Sequence, residues 1–595
     1  MYKIGVSKVE MTYSGEGCGM LGYGMYFHNI EGVETPQYAR AFAIQEGNRK
    51  LMFVNAEFCF PTIMLKARVV ERLKIEHPQL GYTEQNIMIT AQHTHSAAGG
   101  HTQHLAYNLS IPGFREDVYI LYSNAIIAAI VEADQKLQKA TIKHHIGEFD
   151  KEIPVAYNRS VRAYNKNPEV EEKVSLKERH LAADRTMKLL RFRNEKGETF
   201  GSINWFGVHA TSVSNRYRKV CADNKGYAAE YLEEYLQALQ EKGDAVTAFA
   251  QDAAGDISPN YIWEMRYREY RGKYKDDYEA AAYNGSLQFE KAKEILEEIE
   301  EKGKTIEGEL DSILMYADMS KVMIEEQYTN GLKHERTTEP CWGMDFLQGT
   351  TDGQGASKVV GQAVRVIMRS IRGVEVMSAR LSKDVERQRQ VIDYYNAQHP
   401  KCIVINHAKG MVVGAKYPEK MVIPGFVDPA IKYIKYSNKV GYGKKTPWVP
   451  TILPLQIFLI GQLAIVAMPF EITTIAAQRL RQTVQEVLAQ RGIEEVIMSP
   501  YANSYAGYVT TYEEYRMQLY EGGHTLFGKW TLAAYQMKYK ELATELLKAP
   551  QDRHKYRLRP DMFTMDEIWT GMDDKGVLED LKAIADKPSQ GGEMM

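Results

Sequence analysis

LMFVNAEF (51–58), TIMLKARVVERLKIE (62–76) and IMIT (87–90) follow one another as an apolar run, an amphipathic stretch and a second apolar run. The outer two read as strands, and the middle one, with its apolar residues at helical spacing, reads as a helix. Ala41–Ile44 adds another strand upstream and Val118–Gln138 another helix downstream. This alternation predicts a mixed α/β fold, a large layered catalytic domain of mixed β-sheets flanked by helices.

Further along, Val246–Gln251 reads as a core strand and Ala280–Lys302 as a surface-packed helix rich in Ala, Glu, Leu and Lys. Leu455–Ile460 and Leu463–Met468 predict a hairpin turning at Gly461-Gln462, and Ile472–Gln490 a helix stopped by Arg491 and Gly492. Glu471 then falls at a strand-to-helix junction, where reactive groups are commonly presented. The Gly-, Thr- and Asp-rich segment Gln327–Gly361 reads as one long loop, of the kind that serves as lid or substrate wall. Residues 1–548 are expected to form the catalytic domain and 549–595 a short C-terminal extension, with Lys587–Met595 disordered.

The 595 residues suffice for an extensive core, and 44% hydrophobic with 25% charged residues is an ordinary globular balance. A formal charge of −3 gives no footing for nucleic acid. No run of about 18 uncharged apolar residues occurs, so no transmembrane segment is expected, while peripheral contact with a membrane stays open. The start, Met1-Tyr2-Lys3-Ile4-Gly5-Val6, enters a strand pattern without the parts of a signal peptide. A cytoplasmic location is the expectation, the alternative being an exported protein whose signal has been removed. Five scattered cysteines without a CxxC pair suit a reducing compartment and do not resemble metal ligands. Oligomeric state is not legible.

Three stretches carry reactive side chains. Ile89-Thr90-Ala91-Gln92-His93-Thr94-His95-Ser96-Ala97-Ala98-Gly99-Gly100 places two histidines at i and i+2 after an apolar run. If the strand continues, both rings face one side, which suits zinc, but a hydrogen-bonded histidine pair explains the pattern equally well. Asn204–Ser212 holds the single His209, which by itself reads as a satisfied core residue. Ala253–Asn260 holds Gly255-Asp256-Ile257-Ser258-Pro259, either a plain turn with a capping serine or a loop presenting Ser258 to a substrate.

Together these stretches resemble the neutral ceramidases: Ala91–Gly100 is similar to their THTHSGPGG signature, Asn204–Ser212 to NWFxVHxTS and Ala254–Asn260 to GDxSPN. Asn158-Arg159-Ser160, Asp223–Tyr227, Pro447–Thr451, Glu471–Thr474 and Tyr501–Tyr520 agree in order, and the likeness runs from Ile4 to about Tyr535. The resemblance implies one Zn2+ per chain, held by His93, His209, Glu471 and Tyr508, with Tyr505 the fallback if the loop register is shifted. It also implies that His95, Arg159 and Ser258 line the catalytic pocket. Ala97-Ala98 replaces the family's Gly-Pro, Phe470 stands where a small residue is more common, and 549–595 is too short for the immunoglobulin-like domain of many relatives.

The activity so implied is zinc-dependent hydrolysis of the N-acyl bond of ceramide to sphingosine and a fatty acid. The alternatives are an amidase of the same fold acting on another N-acyl lipid or N-acyl amino compound, and a non-catalytic lipid-binding relative. Zinc would activate water and polarise the carbonyl, His95 and Arg159 would contact the oxyanion or head group, and Ser258 would position substrate or relay a proton.

Overall fold

A computed structural model describes residues 2–111, 113–239, 245–420, 429–439 and 441–571. The expected disorder of Lys587–Met595 lies outside the described residues. In chain order the principal elements begin with β1 (Tyr2–Glu10), β2 (Tyr38–Glu46), β3 (Arg49–Ala56), α1 (Ile63–Glu76), β4 (Ile87–Ala91) and α2 (Glu116–Gln135). Next come β5 (Gln138–Glu148), β6 (Thr186–Asn194), β7 (Thr199–Trp205), α3 (Asp223–Ala238), β8 (Val246–Ala250), α4 (Asp277–Lys302) and β9 (Lys304–Ile306). The last are β10 (Leu310–Asp318), α5 (Lys358–Leu381), α6 (Val385–Gln398), β11 (Ile452–Ile460), β12 (Leu463–Ala467), α7 (Thr474–Leu488), β13 (Glu495–Ser499) and α8 (Thr531–Leu546).

A mixed sheet runs β8-β7-β6-β5-β1-β2-β3-β4, with β9 also paired to β5, and a second sheet runs β10-β11-β12-β13. The β3–α1–β4 unit is a crossover between parallel neighbours, Met52 facing Ile87 and Ala56 facing Ala91. Thr62 caps α1 by accepting from the Leu65 amide, which fixes the helix start where the amphipathic pattern begins. Along β3, Met52, Val54 and Ala56 join the core beneath α1 and α2. Leu51 and Phe53 instead join Phe42, Trp205, Phe458 and Ile465 between the two sheets. Both faces of the strand are therefore buried, which is why its sequence runs apolar instead of alternating.

Two expectations are corrected. The helix predicted over Val118–Gln138 ends at Gln135, because Gln138 pairs with Ile4 at the start of β5, and sheet pairing outweighs helical periodicity. The Gln327–Gly361 segment is not one loop: Cys341–Gly343 pairs with Ile403–Asn406, Met344–Leu347 forms a helical turn, and Gly349–Thr350 pairs with Gly353–Gln354 as a hairpin. Gly361 lies inside α5, where a Cβ would come within 2.3 Å of the Gln348 amide nitrogen. The part of the C-terminal extension that is described packs on the body, Arg553 pairing with Asp311 and the buried Trp569 ring lying against Tyr433.

Candidate active site

The loops that leave β4, β7, β8 and β12 meet at one buried point. The strand β4 ends at Ala91, and His93 has a φ of 72°, so the two histidines of the HTH stretch are not strand neighbours on one face, as continued extension would have made them. The turn instead directs the two rings edge to face, with their Nε2 atoms 3.1 Å apart. His93 Nδ1 donates to the Cys59 carbonyl at 2.7 Å. His209 Nδ1 donates to the Ala254 carbonyl at 2.6 Å. Each ring is thereby held in the tautomer that leaves Nε2 bare, the usual arrangement of a ligating histidine.

Those two Nε2 atoms converge on one carboxylate oxygen. Glu471 Oε2 is 3.5 Å from His93 Nε2 and 3.0 Å from His209 Nε2. The Tyr508 hydroxyl is 3.3 Å from His209 Nε2. Glu471 and Tyr508 face each other as a register pair of two short parallel strands, which explains how residues from separate motifs meet. Tyr505, the fallback ligand, donates instead to the other oxygen, Oε1, of Glu471, and Tyr501 donates to Oε2 at 3.1 Å. Cys59 Sγ lies 3.7 Å from His93 Nδ1, on the side of the ring away from that convergence.

The donor set can be tested against zinc by its edges. Ligands about 2.0–2.2 Å from a tetrahedral ion are separated by roughly 3.3–3.6 Å. The separations of 3.0, 3.3 and 3.5 Å match this within a few tenths of an ångström. Burial alone would keep His93 neutral, but Glu471 and Cys59 outweigh it and lift the ring to about 10. Burial and the nearby Arg159 hold His209 below its ordinary value. Glu471 is held well below the carboxylate range by the two imidazoles in spite of its burial. A cation shared by the imidazoles and the carboxylate would replace the proton on His93, because a ligating imidazole must be neutral.

Around this cluster stand the other residues singled out from the sequence. The His95 ring is kept neutral by burial and by the neighbouring histidines, and its Nδ1 has no hydrogen-bond partner. It packs edge-on against Tyr23, and Gly22 at φ 136° is required beside it because a Cβ there would fall 2.3 Å from the ring. Arg159 reaches the Tyr508 hydroxyl at 3.0 Å, while Glu521, Asp352 and the Gly255 carbonyl hold the rest of its guanidinium. Ser258 Oγ donates to Asp352 at 2.6 Å and accepts from the Asn260 amide at 3.0 Å.

Because the Ser258 proton is given to a carboxylate and no imidazole is among its hydrogen-bond partners, we expect Ser258→Ala to lower turnover only about three- to tenfold, as for loss of one hydrogen bond of ~1 kcal/mol. Steady-state kinetics with metal content measured alongside checks this. A fall beyond about a thousandfold with the metal retained would make the hydroxyl the nucleophile.

Sequence reasoning gave no individual role to Asp352, Glu521, Tyr501 or Tyr23, although Tyr501 opens the Tyr501–Tyr520 stretch and Asp352 lies within Gln327–Gly361. Asp352 sits in Thr350-Thr351-Asp352-Gly353, which reads as any turn aspartate. Glu521 lies one residue past the Tyr501–Tyr520 stretch, so a wider window would have included it.

Buried imidazoles, a carboxylate and a phenol converge beside a fixed arginine on an α/β scaffold, and His93, His209 and Glu471 form a group that could hold a metal ion. A profile described as neutral/alkaline non-lysosomal ceramidase, N-terminal, matches residues 2–423 and 435–537, and the chain belongs to that family. It is 32% identical over 548 residues to the neutral ceramidase of Pseudomonas aeruginosa, across 92% of this chain and 72% of that protein. To neutral ceramidase A of Dictyostelium discoideum it is 30% identical over 584 residues, across 92% and 73% of the two chains. The crystal structure of neutral ceramidase from Pseudomonas aeruginosa superposes with a TM-score of 0.73 at 30% identity, covering 94% of this chain and 76% of that one. A ceramidase complexed with C2 gives 0.75 at 31% identity, covering 94% and 77%.

Proposed function

We propose that this protein hydrolyses the amide bond of ceramide, releasing sphingosine and a fatty acid, with one zinc ion held by His93, His209, Glu471 and Tyr508. The observation that carries the reading is the convergence of both Nε2 atoms on Glu471 Oε2, with the Tyr508 hydroxyl beside it, in a chain of the ceramidase family. Bound there, zinc would supply the Lewis acidity that polarises an acyl carbonyl and acidifies water.

The residues of the chain provide the rest. Arg159 directs its Nη2 at the Tyr508 hydroxyl and brings a positive charge to the place where the acyl oxygen gains negative charge. That charge is aimed before substrate arrives, because the Glu521, Asp352 and Gly255 contacts leave the guanidinium no other orientation. His95, neutral and with Nδ1 unpaired while Nε2 faces His93, offers an accepting nitrogen beside the cluster for a hydroxyl of the substrate head group. Ser258 acts through Asp352, whose carboxylate it fixes against Arg159, and is a positioning residue.

The substrate assignment is tested by incubating the purified, zinc-loaded chain with N-acyl sphingosines, N-acyl amino acids and N-acyl ethanolamines and following free fatty acid. Turnover of N-acyl sphingosine well above the other two classes is expected. Inert ceramide beside a hydrolysed N-acyl amino acid would replace the proposed substrate.

A further inference from the structure

The apolar side of helix α5 is wider than the fold covers, where a surface helix ordinarily buries its apolar stripe. Gly361, Val364, Met368, Ile371 and Ala379 share the side turned to the protein and are buried or half-buried. Gly414 is packed so close to Ile371 that a Cβ there would lie 2.6 Å from its Cδ1. At about 100° per residue, Val359, Val366, Val374, Met377 and Leu381 fall on the far side, and the part-exposed Val360 and Ile367 join them to the buried side in one continuous apolar surface. The five far-side residues are 78%, 62%, 63%, 60% and 78% exposed, and Val385 at the start of α6 is 74% exposed. Packing within the fold explains the covered part of this surface and leaves the rest without a structural purpose.

Charge is distributed just as unevenly. Lys358, Arg365, Arg369, Arg372 and Arg380 all lie on the one flank that this apolar surface leaves, and Glu375 is the sole acidic residue of the helix. Arg365 is bound inward to Asp345 and Arg372 lies over the Tyr395 ring, whereas Arg369 and Arg380 are exposed beside the uncovered row. Among the described residues no helix is long and apolar enough to cross a membrane. An apolar face bordered by arginines is the pattern of a helix that lies in the plane of a membrane surface with its basic side chains at the headgroups.

The helix is also joined to the site. Asp352, which holds Ser258 and Arg159, precedes the Ser357 cap of α5 by a short connection, so little chain separates the helix from the site. We propose that the uncovered face of α5 docks on an anionic bilayer surface, so that a substrate resident in the membrane is taken up beside the catalytic cluster. The inference rests on the ceramidase reading for its purpose, because ceramide is a two-chain lipid that resides in bilayers, but binding to vesicles requires no turnover.

The test uses the whole chain and substrate-free vesicles of phosphatidylcholine with or without phosphatidylglycerol, read by cosedimentation. The chain is expected to bind the mixed vesicles and to be released by high salt, and V366E/V374E, at two exposed positions, to bind at least about tenfold more weakly. The same variant should hydrolyse a soluble short-chain N-acyl sphingosine at the unaltered rate and vesicle-embedded ceramide more slowly. R369E/R380E should lose the preference for phosphatidylglycerol. Equal vesicle binding by V366E/V374E, or none by the unaltered chain, overturns the proposal. So does a dimer in sedimentation equilibrium that this variant dissociates, which would assign the face to a second copy. Binding that depends on the row, in a protein inert to every N-acyl sphingosine, would leave docking standing and remove the ceramidase reading.

Discussion

On the proposed zinc site, His209→Ala is expected to purify without stoichiometric zinc and to hydrolyse ceramide at least about a thousandfold more slowly, since the Lewis acidity the ion would supply is lost. The size of the effect follows from how the ring is fixed. Its Nδ1 is tied to the Ala254 carbonyl, and its Nε2 faces both Glu471 Oε2 and the Tyr508 hydroxyl, so no second imidazole can swing into its place. His95 does not substitute, because its Nε2 is set against His93 and not against the carboxylate. Metal analysis of the purified variant, with circular dichroism to show that it is folded, is the measurement. A folded His209→Ala protein with one zinc per chain and near-normal turnover would refute the ligand set. His209→Gln, which retains a polar side chain of similar length, should be no better, because its amide cannot supply the same lone pair.

Arg159 carries the second large effect. Arg159→Ala should lower kcat by about 10²–10³-fold with zinc content and KM little changed, the loss typical of a charge aimed at a developing oxyanion. Arg159→Lys should recover little of it. One ammonium cannot meet Glu521, Asp352, the Gly255 carbonyl and Tyr508 at once, as the forked guanidinium does. The unanswered Glu521 and Asp352 carboxylates would be left buried beside the cluster, so the alanine variant is also expected to melt at a lower temperature. A kcat within tenfold of the unaltered chain would remove Arg159 from the chemistry and leave it a structural ion pair.

The β3–α1–β4 unit was legible because hydrophobic periodicity and the Thr62 cap are local properties that survive whatever packs on them. The end of α2 was not, because it depends on Gln138 finding Ile4 across the sheet. In the same way, His93, His209, Glu471 and Tyr508 could be named from ordered motifs, whereas Asp352 and Glu521 could not. Arg159 is 193 positions from the first and 362 from the second, and neither acid stands in a pattern that differs from a turn or helix-start carboxylate.

By itself the sequence determined the layered α/β class, the reactive side chain types and the ceramidase likeness, all of which rest on short-range patterns read in order. Only the tertiary structure decided that Nε2 and not Nδ1 of both histidines faces Glu471, since that choice depends on the φ of 72° at His93 and on carbonyls from Cys59 and Ala254. It also decided that the Ser258 proton goes to Asp352, and that part of the apolar surface of α5 is covered while the rest meets solvent. The reason is common to all three. A residue's chemistry is written in its type, but the direction in which it acts is set by atoms that folding brings from far along the chain.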